Sequence, residues 1–227
     1  DPAWSPDGKS IAYFSDASGE YELHIRDQNG LGDARHVALG AAPSFYYDPR
    51  WSPDSKKIAY ADKRGGLWYL DVQTGKSKRI DEDYFGGFGP PSFTPSWSPD
   101  SAWLAYSKLL RNGQHAVFVF SVAQGKAFQV TDGMSDAQFP VFDRNGKYLY
   151  FAASTDVALS AQGLDMSSDE RRVSRSVYVA VLSKDEPSPL VPESDEEKQK
   201  QDRKDTPRVG FALADDEAKS AAKSAAS

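Results

Sequence analysis

Few residues of this chain have the chemistry that catalysis or metal binding requires. Its 227 residues include three histidines and no cysteine, which excludes disulfides, thiolate nucleophiles and cysteine metal sites. His24, His36 and His115 follow no metal-ligand spacing such as HExxH, and neither a GxSxG nucleophile elbow nor a GxxxxGKS phosphate loop occurs. We therefore expect no catalytic residue, no metal ion and no cofactor, and interpret the three histidines as residues on the surface of the fold.

Two short segments carry aromatic, charged and hydroxyl side chains suited to contacts with a peptide. They are "SFYYDPRW", from Ser44 to Trp51, and "SFTPSW", from Ser92 to Trp97. Packing of the aromatic rings inside the fold is the alternative interpretation, and it is the commoner role of such residues. The candidate peptide contacts are Tyr46, Tyr47, Asp48, Arg50, Phe93 and Thr94.

Both segments end at a tryptophan that begins a repeated turn. Each turn is followed by an apolar run, an alternating segment and a last short strand, all rich in β-branched and aromatic residues. Four short strands in a repeat of this length are typical of a β-propeller blade. The copies, about 45 residues apart, are Trp4–Gly8 "WSPDG", Trp51–Ser55 and Trp97–Ser101 "WSPDS", and Phe142–Gly146 "FDRNG".

The predicted fold class is therefore all-β: a β-propeller fragment of four blades, each with four antiparallel strands. The blades occupy residues 1–192, with repeats that start near 1, 47, 93 and 138. Four blades out of a ring of about six or seven would leave raw sheet edges, so we expect further blades before Asp1. The innermost strands, near Ser44–Trp51, Pro91–Trp97 and Ala137–Phe142, would line the channel and carry the candidate peptide contacts.

The repeated turn is interpreted as scaffold. Pro6 fixes φ for its turn position, Asp7 can bond the neighbouring backbone, and Gly8 tolerates a positive φ. Ser55 and Ser101 replace this glycine, so a positive φ there would strain them mildly. Each tryptophan is expected to pack on the next strand or on a neighbouring blade.

Composition limits the partners and marks two unusual segments. A formal net charge of -6 argues against nucleic-acid binding, and no apolar run approaches the length of about 20 residues that spans a bilayer. The polar segment Ser154–Arg175 interrupts the fourth repeat and is either a functional loop or a cover for a blade edge. Residues 193–227 are charged and polar, and we expect a largely disordered linker and tail there.

Longer stretches resemble one family, the tricorn proteases, in the region of their second, WD-like-repeat propeller. The resemblance lies in "RWSPDSKKIAYADKRGGLWYLDVQTGK" (Arg50–Lys76), "SWSPDSAWLAYSK" (Ser96–Lys108) and "QVTDGMSDAQFPVFDRNGKYLYFAAS" (Gln129–Ser154). The most specific piece is "LDMSSDERRVSRSVYVAVLSKDEPSPLVPESDEE" (Leu164–Glu197), which is similar to the last part of that propeller and the charged linker after it.

This resemblance implies a non-catalytic portion of a serine protease that degrades oligopeptides, with the propeller as substrate channel, filter and scaffold. It implies oligopeptide substrates, protease domains elsewhere in the parent chain, a homo-oligomer as one assembly and a cytoplasmic location, with a periplasmic or secreted form open. Alternatives are a TolB-type protein-interaction propeller without enzymatic activity and the lid propeller of a prolyl-oligopeptidase-like hydrolase.

Overall fold

A computed structural model describes residues 2–40, 44–83, 93–157 and 173–190. All regular structure in these ranges is β-strand, as the alternating and apolar runs predict. The strands are β1 (Ala3–Trp4), β2 (Ser10–Ser15), β3 (Glu22–Asp27), β4 (Arg35–Val37), β5 (Tyr46–Trp51), β6 (Lys57–Asp62), β7 (Gly66–Asp71), β8 (Lys76–Glu82), β9 (Ser96–Trp97), β10 (Trp103–Leu109), β11 (His115–Ser121), β12 (Lys126–Gln129), β13 (Asp136–Phe142), β14 (Tyr148–Ser154) and β15 (Ser176–Val181).

The strands form four antiparallel sheets in the order of the sequence. The sheets are β1-β2-β3-β4, β5-β6-β7-β8, β9-β10-β11-β12 and β13-β14-β15. Each sheet is a simple meander, as expected for a propeller blade, and we call them blades 1 to 4. The described residues do not close the four blades into a ring.

Three apolar clusters lie between successive blades and hold them together. The first two blades share a cluster that includes Leu23, Ile58, Tyr60 and Leu70. Blades 2 and 3 share one that contains Leu67, Tyr106 and Phe120, and blades 3 and 4 share one built around Val117 and Leu149. Because burial is concentrated between blades, each blade depends on its neighbours for a core.

The repeated turns have the predicted scaffold geometry. Ser5 Oγ donates to Asp7 Oδ1 over 2.6 Å and accepts from the backbone N–H of Ser10 over 2.9 Å. The same serine-to-aspartate bond recurs as Ser52 Oγ to Asp54 Oδ1 at 2.5 Å. Each aspartate is therefore occupied inside its own turn, and hydrogen bonds from the turn lower the pKa of Asp7 below its ordinary value.

The serines that replace the turn glycine have a function that the sequence does not reveal. Ser55 and Ser101 adopt φ values of 57° and 59°, as expected for that position. Their hydroxyls accept hydrogen bonds from the preceding blade's turn: Asp7 N–H to Ser55 Oγ at 3.1 Å and Asp54 N–H to Ser101 Oγ at 3.0 Å. Each serine thus links two blades while it closes its own turn.

The tryptophans of the repeat form a second set of links between blades. Trp51 Nε1 donates to the carbonyl oxygen of Ala3, and Trp97 Nε1 donates to that of Arg50, both over 3.0 Å. Trp97 is 9% exposed, but Trp4 is 58% exposed. The expectation that each repeat tryptophan packs on a neighbour therefore holds for the second and third copies, whereas the Trp4 side chain faces solvent.

Blade 4 departs from the expected four strands. Its described residues form three, and the described part of the predicted last strand "SPLVP", from Ser188 to Leu190, is not a strand. Pro189 within this part lacks the N–H group that a ladder would need. Residues 158–172 of the insertion and the expected tail, residues 193–227, lie outside the described residues.

In the described ranges, no helix has the length and apolar character to cross a membrane.

Candidate functional site

The inner strand of blade 2 carries four of the six candidate peptide contacts. Its register with β6 shifts between Tyr47 and Arg50, and Asp48 adopts a φ of 51° at this β-bulge. The next residue is Pro49, which cannot donate to a ladder and is tolerated at bulges. The bulge turns Asp48 and Arg50 to solvent, since both side chains are exposed.

A groove beside this strand is lined with aromatic side chains from blades 1 and 2. Its volume is about 240 Å³, and its lining includes Phe14, Tyr21, Tyr46, Tyr47 and Asp48. The Phe14 and Tyr46 rings lie 5.7 Å apart. Burial raises the pKa of the Tyr46 hydroxyl, and the Asp62 carboxylate adds to that rise. The groove therefore offers neutral phenols and ring faces to a ligand.

A second groove shares Asp48 of the same bulge with the first. It has a volume of about 460 Å³ and is formed by β1, β5 and the residues around them, including Trp4, Asp48 and Arg50. Asp48 lines both grooves. Aromatic, anionic and cationic groups therefore meet on the inner strands of blades 1 and 2, where an extended peptide could bind through its backbone and side chains.

The remaining two candidate contacts have different surroundings. Phe93 is 3% exposed and belongs to the cluster between blades 2 and 3, with its ring 6.0 Å from that of Tyr106. Thr94 is exposed, and its Oγ1 lies 3.3 Å from Ser107 Oγ. Both precede β9, which begins at Ser96. The structure thus places Tyr46, Tyr47 and Asp48 on one groove and Asp48 and Arg50 on the other. Phe93 has a packing role, and so in part has Tyr46, which packs against the cluster between blades 1 and 2.

A buried polar network between blades 3 and 4 was missed by the sequence interpretation. Asp136, 1% exposed, accepts hydrogen bonds from the His115 backbone N–H at 2.9 Å and from its Nδ1 at 2.6 Å. Arg175 Nη2 lies 2.7 Å from Asp136 Oδ2, and Gln138 Nε2 donates to the same oxygen at 2.8 Å. His115 and Asp136 are 21 residues apart in the sequence, so no short sequence motif predicts their contact.

Opposing effects set the ionisation of Asp136. Burial raises its pKa, but the hydrogen bonds from His115 and Arg175 outweigh burial and hold the pKa well below the ordinary value of 3.8. The carboxylate stays ionised at neutral pH and ties the starts of β11 and β13 to the residue before β15. A histidine that bonds a buried aspartate also occurs as the base and orienting acid of hydrolases. Here Asp136 also bonds the His115 backbone and pairs with Arg175, so we interpret the group as a structural clamp between blades 3 and 4.

A second missed group lies on β3 and β4. Glu22 Oε1 is 3.2 Å from His24 Nε2 and 2.7 Å from His36 Nδ1. His24 is buried, contrary to the expectation of a surface histidine, whereas His36 is exposed as expected. The two histidines are paired across the strands, and Glu22 precedes His24 by two residues on the same face. In the described ranges, this is the one group of three such ligands with donor atoms within 4.8 Å of one another.

Comparison with known proteins gives one family and a common fold. The model described as "Tricorn protease second beta propeller domain" matches residues 2–223. A relative from Bacillus subtilis (strain 168), described as "Uncharacterized peptidase YuxL", is 26% identical over 159 residues, which are 68% of this chain and 22% of the relative.

Among solved structures, the tricorn protease superposes with a TM-score of 0.62 and 23% identity, covering 85% of this chain and 19% of that one. A TolB from Agrobacterium tumefaciens superposes with a TM-score of 0.52 and 19% identity, covering 80% of this chain and 60% of that one. At these identities the structures show the β-propeller fold alone. The chain spans about a fifth of the length of the peptidase relative and of the tricorn protease.

Proposed function

The chain belongs to the family of second β-propeller domains of tricorn proteases, and from this premise we propose that it is the non-catalytic propeller portion of an oligopeptide-degrading serine protease. Its role is that of a substrate channel and filter and of a scaffold for the protease domains. The parent protein is the hydrolase, and the nucleophile and base lie in other domains of it. Cytoplasmic location and homo-oligomeric assembly stay predictions.

The observation that carries the proposal is the composition of the inner strands at the β5 bulge. Tyr46 and Tyr47 present phenol rings to one groove, and Asp48 and Arg50 present opposite charges to the other. A peptide has amide groups, side chains and two charged ends, so this surface offers a partner to each of them. A ring that surrounds the surface would admit an extended peptide and exclude a folded protein by size.

A channel requires a closed ring, and an exposed apolar face of blade 4 supports the inference that the ring contains further blades. One face of blade 4 carries Val141, Tyr150, Val177 and Val181, all of them exposed. The other face of the same blade packs on blade 3 through Leu149. Blades of a propeller stack face to face, so we infer that another blade of the parent protein covers this surface.

The test is peptide binding by the chain itself, measured by fluorescence anisotropy with a labelled mixture of extended oligopeptides. We expect weak saturable binding, which Tyr47→Ala and Arg50→Gln each lower roughly threefold, an effect of less than 1 kcal/mol. Arg79→Gln is the matched control, because Arg79 is an exposed arginine on the outer strand β8. Equal binding by the Arg50→Gln and Arg79→Gln proteins would contradict the assignment, and so would hydrolysis of the peptides by the pure chain.

A TolB-type interaction propeller is the second candidate. It is favoured by coverage, because the superposition covers 60% of the TolB chain but 19% of the tricorn protease chain. Such a propeller would bind a folded partner protein and need no attached protease. Competition separates the two functions: in the proposed channel, an excess of a folded protein of matched composition leaves peptide binding unchanged. Displacement of the peptide by folded proteins, with no loss in the Arg50→Gln variant, would favour the interaction propeller.

A further inference from the structure

Glu22, His24 and His36 have the chemistry of a metal site that the sequence spacing conceals. The three side chains come from adjacent strands at the edge of blade 1, where β3 pairs with the three-residue strand β4. His24 and His36 are direct partners in that ladder. Cross-strand pairing therefore produces a neighbourhood that short sequence motifs such as HExxH cannot show.

The donor atoms already lie close to the separations that a small tetrahedral ion requires. At bond lengths near 2.1 Å, two tetrahedral ligand atoms lie about 3.4 Å apart. The separation between Glu22 Oε1 and His24 Nε2 is 3.2 Å, and that between Glu22 Oε1 and His36 Nδ1 is 2.7 Å. An ion would push the second pair apart by roughly 0.7 Å and would tilt the stacked imidazoles, now at 26° to each other, away from each other.

The surroundings hold two of the ligands in place and leave the third reachable. The Tyr13 ring lies 5.3 Å from that of His24 and restricts its rotation. The Glu22 side chain is 16% exposed, and its Oε1 faces a ring nitrogen of each histidine, so its carboxylate is directed at the position that an ion would occupy. The His36 side chain is 50% exposed, which provides an entry path for an ion.

We propose that Glu22, His24 and His36 bind a divalent transition-metal ion of the zinc type, which joins β4 to β3 at the edge of blade 1. Two imidazole nitrogens and one carboxylate oxygen are a ligand set that suits this class of ion, with water in the fourth position. In the metal-free chain the nitrogens that face Glu22 donate to its carboxylate. When the ion binds, each of these nitrogens gives up its proton, either to solvent or by tautomerisation to the other ring nitrogen, and the neutral imidazole uses the freed lone pair as the ligand. The proposal replaces the expectation of a metal-free chain and is independent of peptide binding.

The test is calorimetric titration of the chain, prepared without a histidine tag, with Zn²⁺ alone. We expect one ion per chain, a higher melting temperature with Zn²⁺, and the visible absorption bands of tetrahedral Co²⁺ when cobalt replaces zinc. His36→Gln and Glu22→Gln should each weaken binding more than about tenfold. Both residues are partly exposed, so the variants are expected to fold, which circular dichroism checks.

Asp27→Asn is the matched control for Glu22→Gln. Asp27 lies on the same strand but on its opposite face, and asparagine keeps the oxygen that accepts from the Asn29 N–H. Unchanged Zn²⁺ affinity is expected for this variant. The proposal is overturned if the wild-type chain binds no ion at millimolar Zn²⁺, or if the His36→Gln chain binds zinc as tightly as the wild-type chain.

Discussion

At the scale of single residues, the buried carboxylate of Asp136 shows how side chains distant in sequence position the strands of two blades. It bonds both the backbone and the imidazole of His115 on β11, and it pairs with Arg175, which lies just before β15. A buried anion without these partners would be costly, so each partner of Asp136 contributes to the same clamp. The two ends of the neighbouring insertion, Ser154 and Arg175, therefore both lie beside Asp136: Ser154 is its partner in the strand ladder, and Arg175 is its ion-pair partner.

The first prediction concerns the acid stability that Asp136 confers. Its pKa is lowered in the folded chain, so its stabilising contribution is complete at neutral pH and is lost as the pH falls below the ordinary value of 3.8. Asp136→Asn should lower the free energy of unfolding by about 2 kcal/mol at neutral pH. The difference between the two proteins should shrink in acid.

Urea unfolding at neutral pH and at about pH 3 measures this difference. Asp156→Asn is a useful control, because Asp156 bonds Ser174 at the same end of blade 4 without entering the clamp. A difference between wild type and Asp136→Asn that stayed constant with pH would show that the charge of Asp136 has no part in the stabilisation.

The contacts between individual polar side chains were the hardest feature to predict from the sequence. His24, His115 and Asp136 acquire their neighbours through strand pairing and blade stacking, both of which depend on register. Register is set by turns and by the burial pattern over many residues, so a short motif search cannot recover it. Tyr46, Tyr47, Asp48 and Arg50 lie on one strand, so their proximity follows from the sequence alone, whereas their role as peptide contacts stays a prediction.

At the scale of elements, the repeated turn is the unit that connects blades. Ser101 closes its own turn through the bond from its N–H to the Ser98 carbonyl, and its hydroxyl accepts from the Asp54 N–H of the preceding turn. The sequence correctly predicted the turn and its positive φ, because both follow from local chemistry. The link between turns depends on the spacing of whole blades and could not be read from one repeat.

The second prediction separates the bond of Ser101 from its backbone strain. Ser101→Ala loses the hydroxyl but keeps a side chain at positive φ, so it should cost about 1 kcal/mol. Ser101→Gly loses the same bond but relieves the backbone, so the cost should be smaller. Urea unfolding should therefore rank the free energies of unfolding as serine, then glycine, then alanine. Equal values for glycine and alanine would contradict the strain at this position.

The positions of most strands were also predictable, because they follow from local sequence patterns. The one predicted strand that the described residues do not form has a local explanation too. Apolar runs and period-two alternation identified the second and third strands of the blades, and the inner strands were placed by their position before the repeated turn. The described part of the predicted last strand of blade 4, from Ser188 to Leu190, is not a strand, and Pro189 within it lacks a ladder donor. Short edge strands such as β4 carry little pattern, so their ends are poorly determined by sequence.

At the scale of the whole molecule, the blades leave one broad apolar face uncovered. Val141, Tyr150, Val177 and Val181 lie on the side of blade 4 that faces away from blade 3. A patch of this kind marks an interaction surface in a stable protein. The repeat count predicted missing blades and raw sheet edges, but the apolar face and the residues that form it became visible only with the strand register.

The third prediction is that this face drives association of the isolated chain. Val177→Glu should weaken self-association roughly threefold, because it places a charge on the patch. Val173→Glu is the matched control, since Val173 is an exposed valine that precedes β15 and lies outside the sheet. Sedimentation velocity over a concentration series gives the association constants. An equal effect of the two substitutions would contradict a role for the sheet face.

The tryptophan and serine links of the repeated turn have a direction along the chain, opposite to that of Arg35 on blade 1, which donates to the Val72 and Gln73 carbonyl oxygens of blade 2. In both the Trp51 and the Ser55 contacts, the side chain belongs to the later repeat, and the backbone group it meets belongs to the earlier one. Trp97 and Ser101 repeat this relation one blade further on. During synthesis on the ribosome, the tryptophan and serine side chains that form these links therefore emerge after the backbone groups to which they bond. Assembly can proceed from the amino terminus, one blade at a time, without waiting for the carboxyl-terminal repeats.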